Sequence, residues 1–112
     1  MRIRLVLGCL ATAALLFPTV ASARIRLLSV TSPASLGSYA TLHANVVPSR
    51  TCSITVYYKS GASHAQGLYP KRAVRGRVSW TWKVGTRTTP GRWPIVVSCG
   101  SAGRLRTSFR VG

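Results

Sequence analysis

The stretch that decides the fold is residues 77–84, which read Arg-Val-Ser-Trp-Thr-Trp-Lys-Val. Its apolar side chains occupy every second position, on Val78, Trp80, Trp82 and Val84. Because successive side chains of a β-strand point to opposite faces of the sheet, this alternation predicts a strand with one buried face. The alternative is that Trp80 and Trp82 form a platform on which a carbohydrate stacks. Their alternation with two valines favours packing in a core instead.

The same alternation recurs on both sides of this strand, with turn residues between the runs. The predicted strands are 25–31, 39–47, 52–59, 77–84, 92–99 and 104–111. Residues 62–76 are predicted to form a loop with a short edge strand near Leu68. Short antiparallel strands with one apolar face each pack as two sheets. The sequence therefore predicts an all-β, Ig-like or fibronectin-III-like antiparallel sandwich of six or seven strands.

Four segments of this region also carry a family resemblance. They are Cys-Ser-Ile-Thr-Val-Tyr-Tyr-Lys-Ser-Gly (52–61), Gly-Leu-Tyr-Pro-Lys (67–71), Val-Ser-Trp-Thr-Trp-Lys-Val-Gly (78–85) and Thr-Pro-Gly-Arg-Trp-Pro-Ile (89–95), followed by Cys99. They resemble the small Ig-like domains of secreted and cell-surface bacterial proteins, over nearly all of residues 25–112. The resemblance implies a structural spacer, an adhesin or a binding unit without catalytic residues. Cys52 lies on the third predicted strand, so the disulfide position of antibody domains is not expected.

The first 23 residues have the pattern of a secretory signal peptide. Arg2 and Arg4 precede an apolar run at residues 5–17, and Ala21-Ser22-Ala23 matches the small residues that signal peptidase accepts. A transmembrane anchor would need roughly 20 apolar residues, more than this run supplies. A lipoprotein site at Cys9 is disfavoured because the apolar run continues beyond it. We expect a signal peptide at 1–23, one domain at 24–112, and a secreted or cell-surface protein.

Two cysteines, Cys52 and Cys99, remain after this segment. An even number of cysteines in a small exported domain predicts a disulfide, and both residues fall on the inward faces of their strands. The alternative is a zinc site that adds His43 and His64 as ligands. No pair among these four residues has the close spacing of zinc ligands, so no metal is expected.

The absence of acidic side chains excludes several enzyme classes. The chain has 112 residues with 16 Lys and Arg and no Asp or Glu, giving a formal charge of +16. Paired-carboxylate glycosidases, aspartic proteases, Ser-His-Asp triads and carboxylate calcium sites all need acidic side chains. A Cys–His nucleophile would need a free thiolate. A Ser–Lys pair remains as an alternative, but no spacing marks one. We therefore expect a protein that is not an enzyme and needs no cofactor.

The basic residues form two predicted patches. Arg92, Arg104, Arg106 and Arg110 share the outward register of the last two strands, whereas Lys71, Arg72, Arg75 and Arg77 lie close together in sequence. Guanidinium groups bind phosphate, sulfate and carboxylate oxygens in a bidentate manner.

From these patches we expect a binding module that docks on anionic polymers, such as cell-wall polymer, acidic polysaccharide, lipid head groups or nucleic acid. The alternative is a spacer or adhesin-like domain with a protein partner, whose charge serves solubility or steering. A membrane-active factor is disfavoured because no amphipathic basic helix is visible.

Overall fold

The computed structural model describes residues 24–112, so the predicted signal peptide and Cys9 lie outside the described residues. Residues 24–112 form eight strands and one short 3₁₀ helix. They are β1 (Arg24–Val30), β2 (Tyr39–Val47), β3 (Thr51–Tyr58), β4 (Gly61–Ala62), β5 (Lys71–Arg72), β6 (Arg77–Lys83), β7 (Gly91–Ser98), the helix Gly100–Ala102 and β8 (Arg104–Val111). Within residues 24–112, no helix has the length and apolar character needed to cross a membrane.

The strands form two antiparallel sheets. One sheet has the order β1-β2-β6, and the other has the order β4-β3-β7-β8, with β5 paired to the start of β3. The first, second and fifth major strands of an Ig domain share one sheet, and the third, sixth and seventh share the other. The order found here is this arrangement, so the predicted all-β Ig-like sandwich is confirmed.

The core contains the apolar faces that the alternation predicted. Trp80 and Trp82 are fully buried, and Trp82 packs edge-to-face against Phe109 with ring centroids 5.6 Å apart. No polar or charged residue is buried within residues 24–112. The two tryptophans therefore serve as core residues and cannot form a carbohydrate platform.

The predicted disulfide is present. Cys52 and Cys99 are joined, and both are buried at 1% exposure or less. Ser53 of β3 pairs with Ser98 of β7, so the two cysteines occupy the next opposed positions. The bond therefore links two neighbouring strands within one sheet and does not connect the two sheets.

The outer edge of β6 is covered by the segment 63–71. Trp80 Nε1 donates a hydrogen bond to the Tyr69 carbonyl at 2.8 Å, and Lys71 Nζ donates to the Ser79 carbonyl at 2.9 Å. A side chain at Gly67 would collide with the Thr81 carbonyl oxygen. The predicted edge strand near Leu68 is wrong, because this segment covers β6 through side-chain contacts and forms a short ladder only at β5.

Candidate functional site

Four arginines lie together on the outer surface of β7 and β8, which we call the β7–β8 face: Arg92, Arg104, Arg106 and Arg110. Arg92 is paired directly with Arg110, Arg106 lies opposite Val96, and Arg104 lies opposite Ser98. All four are exposed. Because β7 and β8 are hydrogen-bonded neighbours, the four side chains share the outer side of one sheet.

The β7–β8 face is an extended strip with mostly free guanidinium groups. Arg104 and Arg110 are six residues apart on one strand, which corresponds to about 20 Å. Arg92 Nη1 donates a hydrogen bond to Ser108 Oγ at 3.1 Å, which orients this side chain. No Asp or Glu exists in the chain, so no carboxylate side chain neutralises any of these cations. On the adjacent β3, Tyr57 is 41% exposed and extends the same surface.

The second predicted patch is divided between different surfaces. Lys71 lies on β5 and is engaged, because its ammonium group bonds the Ser79 carbonyl and lies 5.5 Å from the centre of the Tyr69 ring. Arg72 also lies on β5, next to β3. Arg75 occupies a two-residue turn, with a φ of 54°. Arg77 lies on β6, in the other sheet.

Arg77 belongs to a basic surface that the sequence did not indicate. Asn45 of β2 is paired with Arg26 of β1 on one side and with Arg77 of β6 on the other. These three residues form a row across the outer side of the β1-β2-β6 sheet, and both arginines are exposed. Arg26 and Arg77 are exposed positions beside more buried ones on separate strands, but only the pairing register brings them together.

The histidines and cysteines do not form a metal or nucleophile site. His43 is exposed on the outer side of β2, His64 is exposed in the loop after β4, and both Cys52 and Cys99 are in the disulfide. Across residues 24–112, no group of three or more His, Cys, Asp or Glu side chains is close enough to hold a metal ion.

Comparison with known proteins finds similarity at the level of fold. No protein-family model matches the chain, and no match is found among curated proteins. Titin domains z1z2 in complex with telethonin superpose with a TM-score of 0.49 at 17% identity, covering 83% of this chain and 48% of that one. This chain thus spans about half of the z1z2 chain. Titin M4 has a TM-score of 0.49 at 15% identity, covering 83% and 97% of the two chains.

An enzyme also contains a similar region. A β-glucosidase from Listeria innocua in complex with glucose has a TM-score of 0.48 at 10% identity. The match covers 81% of this chain and 16% of that chain. At these identities and scores, nothing about function follows for this protein.

Proposed function

We propose that this protein is a secreted, non-enzymatic Ig-like binding module that docks on anionic polymers through the β7–β8 face. The observation that carries the proposal is the pairing of β7 with β8, which aligns four exposed arginines on the outer side of one sheet. Candidate polymers are cell-wall polymer, acidic polysaccharide and nucleic acid. Their shared feature is a regular series of phosphate, sulfate or carboxylate groups, which guanidinium groups bind in a bidentate manner.

Two further observations support this proposal. The chain has no acidic side chain, so no internal ion pair competes with a polymer for its cations. A disulfide buried in a small domain suits an oxidising, extracellular compartment. Export to that compartment also agrees with the signal peptide expected from residues 1–23.

The test is the salt dependence of binding to a defined DNA duplex. About four to six phosphate contacts on one face should give a slope of log affinity against log salt of about −4 to −5. Replacing Arg104, Arg106 and Arg110 with Ser should flatten the slope by about 2.7, because each lost phosphate contact removes about 0.9. A sulfated glycan measured in parallel would extend the result to polysaccharides.

The matched control replaces three exposed arginines that lie outside the β7–β8 face, Arg24, Arg72 and Arg75. Both triple variants lose the same formal charge, so a diffuse electrostatic attraction would weaken equally in each. A smaller change in the control supports docking on the face. Equal changes would leave only a diffuse cationic surface and would favour the alternative function.

That alternative is a spacer or adhesin-like domain that binds a protein, and the outer edge of β8 favours it. At one end of this edge, Ala34 N–H donates to the Arg110 carbonyl at 2.8 Å, and Arg110 N–H donates to Ser32 Oγ. The backbone N–H and C=O groups of successive residues point to opposite sides of a strand. Those of Arg106 and Ser108 therefore point to the same side as those of Arg110, away from β7. No strand in residues 24–112 pairs with them there, which leaves an edge that an extended peptide could join.

The variant Arg106→Pro tests this alternative, with Arg106→Ser as its control. Proline removes the outward N–H without breaking the β7–β8 ladder, whereas both variants remove the charge. For an extended peptide of alternating acidic and apolar residues, R106P should abolish binding and R106S should only weaken it. Equal affinities of the two variants would show that β8 does not recruit a strand.

A further inference from the structure

A pocket of about 590 Å³ opens between two turns at one end of the sandwich. One wall is the turn Lys59-Ser60 between β3 and β4, and the other is the loop of residues 85–89 between β6 and β7. Its volume lies within the range of about 300–1,000 Å³ that is typical of small-molecule sites. The pocket contains none of the four arginines of the β7–β8 face, so it is a separate candidate site.

Tyr58 also lines this pocket, and contacts with two tryptophans orient its side chain. Its ring meets Trp93 edge-on at 6.2 Å between centroids, and its hydroxyl accepts a hydrogen bond from Trp82 Nε1 at 3.2 Å. Among the described residues, this is the only hydrogen bond of the Tyr58 hydroxyl. The hydroxyl lies beside the fully buried Trp82, and its one proton is donated to no residue within 24–112. Burial raises the pKa of Tyr58, which keeps the proton in place at neutral pH.

The two walls each contribute one cation. Lys59 comes from the first turn and Arg87 from the second loop, and both are exposed at the pocket. Hydroxyl groups stand beside them on Ser60, Thr88 and Thr89. The site thus offers two positive charges, several hydroxyls that donate and accept, and one aromatic ring. A small anion that also carries hydroxyl groups matches this set of groups.

The loop that carries Arg87 is held in place. Thr88 N–H donates to the Gly85 carbonyl at 3.1 Å, which closes a turn around Arg87. Trp93 Nε1 donates to the Thr89 carbonyl at 2.7 Å, which ties the end of the loop to β7. Because the backbone is fixed before a ligand arrives, binding does not have to order the loop.

From these observations, we propose that the pocket binds a hydroxylated anion of monosaccharide size, such as a sugar phosphate or a uronic acid. The anionic group lies between Lys59 and Arg87, the sugar ring lies against Tyr58, and the Tyr58 hydroxyl donates to the sugar. This inference does not depend on the docking of polymers on the β7–β8 face.

The test is calorimetric titration of the full mature chain with glucose 6-phosphate, glucuronate, glucose and inorganic phosphate. Glucose 6-phosphate or glucuronate should bind saturably at one site, and whichever binds more tightly identifies the anionic group. Glucose and phosphate should each bind at least tenfold more weakly, because glucose lacks the anionic group and phosphate lacks the sugar ring with its hydroxyls. Phosphate binding as tight as glucose 6-phosphate would overturn the sugar component.

Three variants separate the pocket from general cationic attraction. Lys59→Gln and Arg87→Gln should each weaken binding about tenfold or more, because each removes a charge-assisted hydrogen bond to the anionic group. Tyr58→Phe should weaken binding less, because it removes only an uncharged hydroxyl donor. The factor should be similar for glucose 6-phosphate and glucuronate. A melting curve of each variant confirms that it is folded.

The matched control is Arg104→Gln with Arg106→Gln, which removes two charges from the β7–β8 face and leaves the pocket intact. This control should bind both sugars as the parent protein does. Loss of binding equal to that of the pocket variants would overturn the proposal, as would the absence of saturable binding to either sugar.

Discussion

Gly67 shows how a single residue closes one edge of this sandwich. Its φ of +98° is a conformation that side-chain-bearing residues avoid, and a Cβ there would collide with the Thr81 carbonyl. The close approach allows the segment 63–71 to lie against β6. A larger residue would have to push this segment away from the strand that carries Trp80 and Trp82.

We expect Gly67→Ala to lower the free energy of unfolding by more than Gly61→Ala does. Gly61 also has a positive φ, of +114°, but nothing lies within 4 Å of an added Cβ. Gly61→Ala should therefore lose only about 1 kcal/mol, from placing a side-chain-bearing residue at positive φ. Gly67→Ala should lose this amount and also the energy of the collision with the Thr81 carbonyl. Denaturant unfolding of the two variants measures the difference. Equal losses would show that the loop moves away from Thr81 without cost.

Tyr58 gives the molecule a predictable alkaline weakness. Burial raises the pKa of its phenol above the ordinary value of 10.0. The unfolded chain therefore loses this proton at a lower pH than the folded chain. The contribution of the Tyr58 phenol to the free energy of unfolding is therefore fully present below pH 10. It is lost as the pH rises through the higher pKa of the folded protein.

We expect Tyr58→Phe to reduce the loss of stability above pH 10, and Tyr57→Phe to leave that loss unchanged. Tyr57 lies on the outer side of β3, so it provides a phenol in the same strand without the burial. Urea unfolding at several pH values between 8 and the alkaline limit of folding measures both slopes. If the two variants have the same pH dependence, burial of Tyr58 does not contribute to the alkaline transition.

At the scale of the strand, the disulfide fixes one end of the β3–β7 pair. The two cysteines are 47 residues apart in sequence, so the bond closes a loop that contains β4, β5, β6 and β7. Cross-linking a loop of this length restricts the unfolded chain, which contributes on the order of 4 kcal/mol in the chain-entropy model.

The chain from residue 24 onward should therefore contain no free thiol, and its mass should be about 2 Da below that of the reduced form. Reduction should lower the free energy of unfolding by a few kcal/mol, because the long closed loop is released. Thiol titration, mass spectrometry and denaturant unfolding measure these quantities. Two titratable thiols in the native exported protein would contradict the pairing.

The strands also show what the sequence could and could not predict. The ranges 39–47 and 104–111 were predicted with their observed bounds, because alternation and burial coincide there. The two-residue strands β4 and β5 exist only through pairing with β3, which no local pattern reports. The same limit applies to the candidate site: alternation places Arg77 outward, but it does not indicate which sheet contains the strand.

For the whole molecule, the absence of Asp and Glu has a consequence for acid stability. Acid unfolding ordinarily requires carboxylates with lowered native pKa values, which take up protons as the pH falls. Here the C-terminus is the only carboxylate. Neither His43 nor His64 is buried, so neither has to gain its charge in the core.

We therefore expect the free energy of unfolding to remain nearly constant from pH 5 to about pH 2, since no side chain titrates there. Urea unfolding followed by tryptophan fluorescence across this range provides the measurement. The formal charge of +16 is already present at pH 7, so acid adds little further repulsion. A cooperative acid transition near pH 4 would contradict the argument.

The two basic surfaces point in opposite directions, because the two sheets of a sandwich expose opposite outer sides. One carries Arg92, Arg104, Arg106 and Arg110, and the other carries Arg26 and Arg77. If polymers dock on the β7–β8 face as proposed, Arg26 and Arg77 stay exposed to a second polymer on the other side, and the module would then act as a divalent cross-linker. At a low ratio of protein to polymer, cross-linking would then join polyanion chains into bundles and raise the turbidity. At a high ratio, protein would cover each chain separately, and the turbidity would fall again.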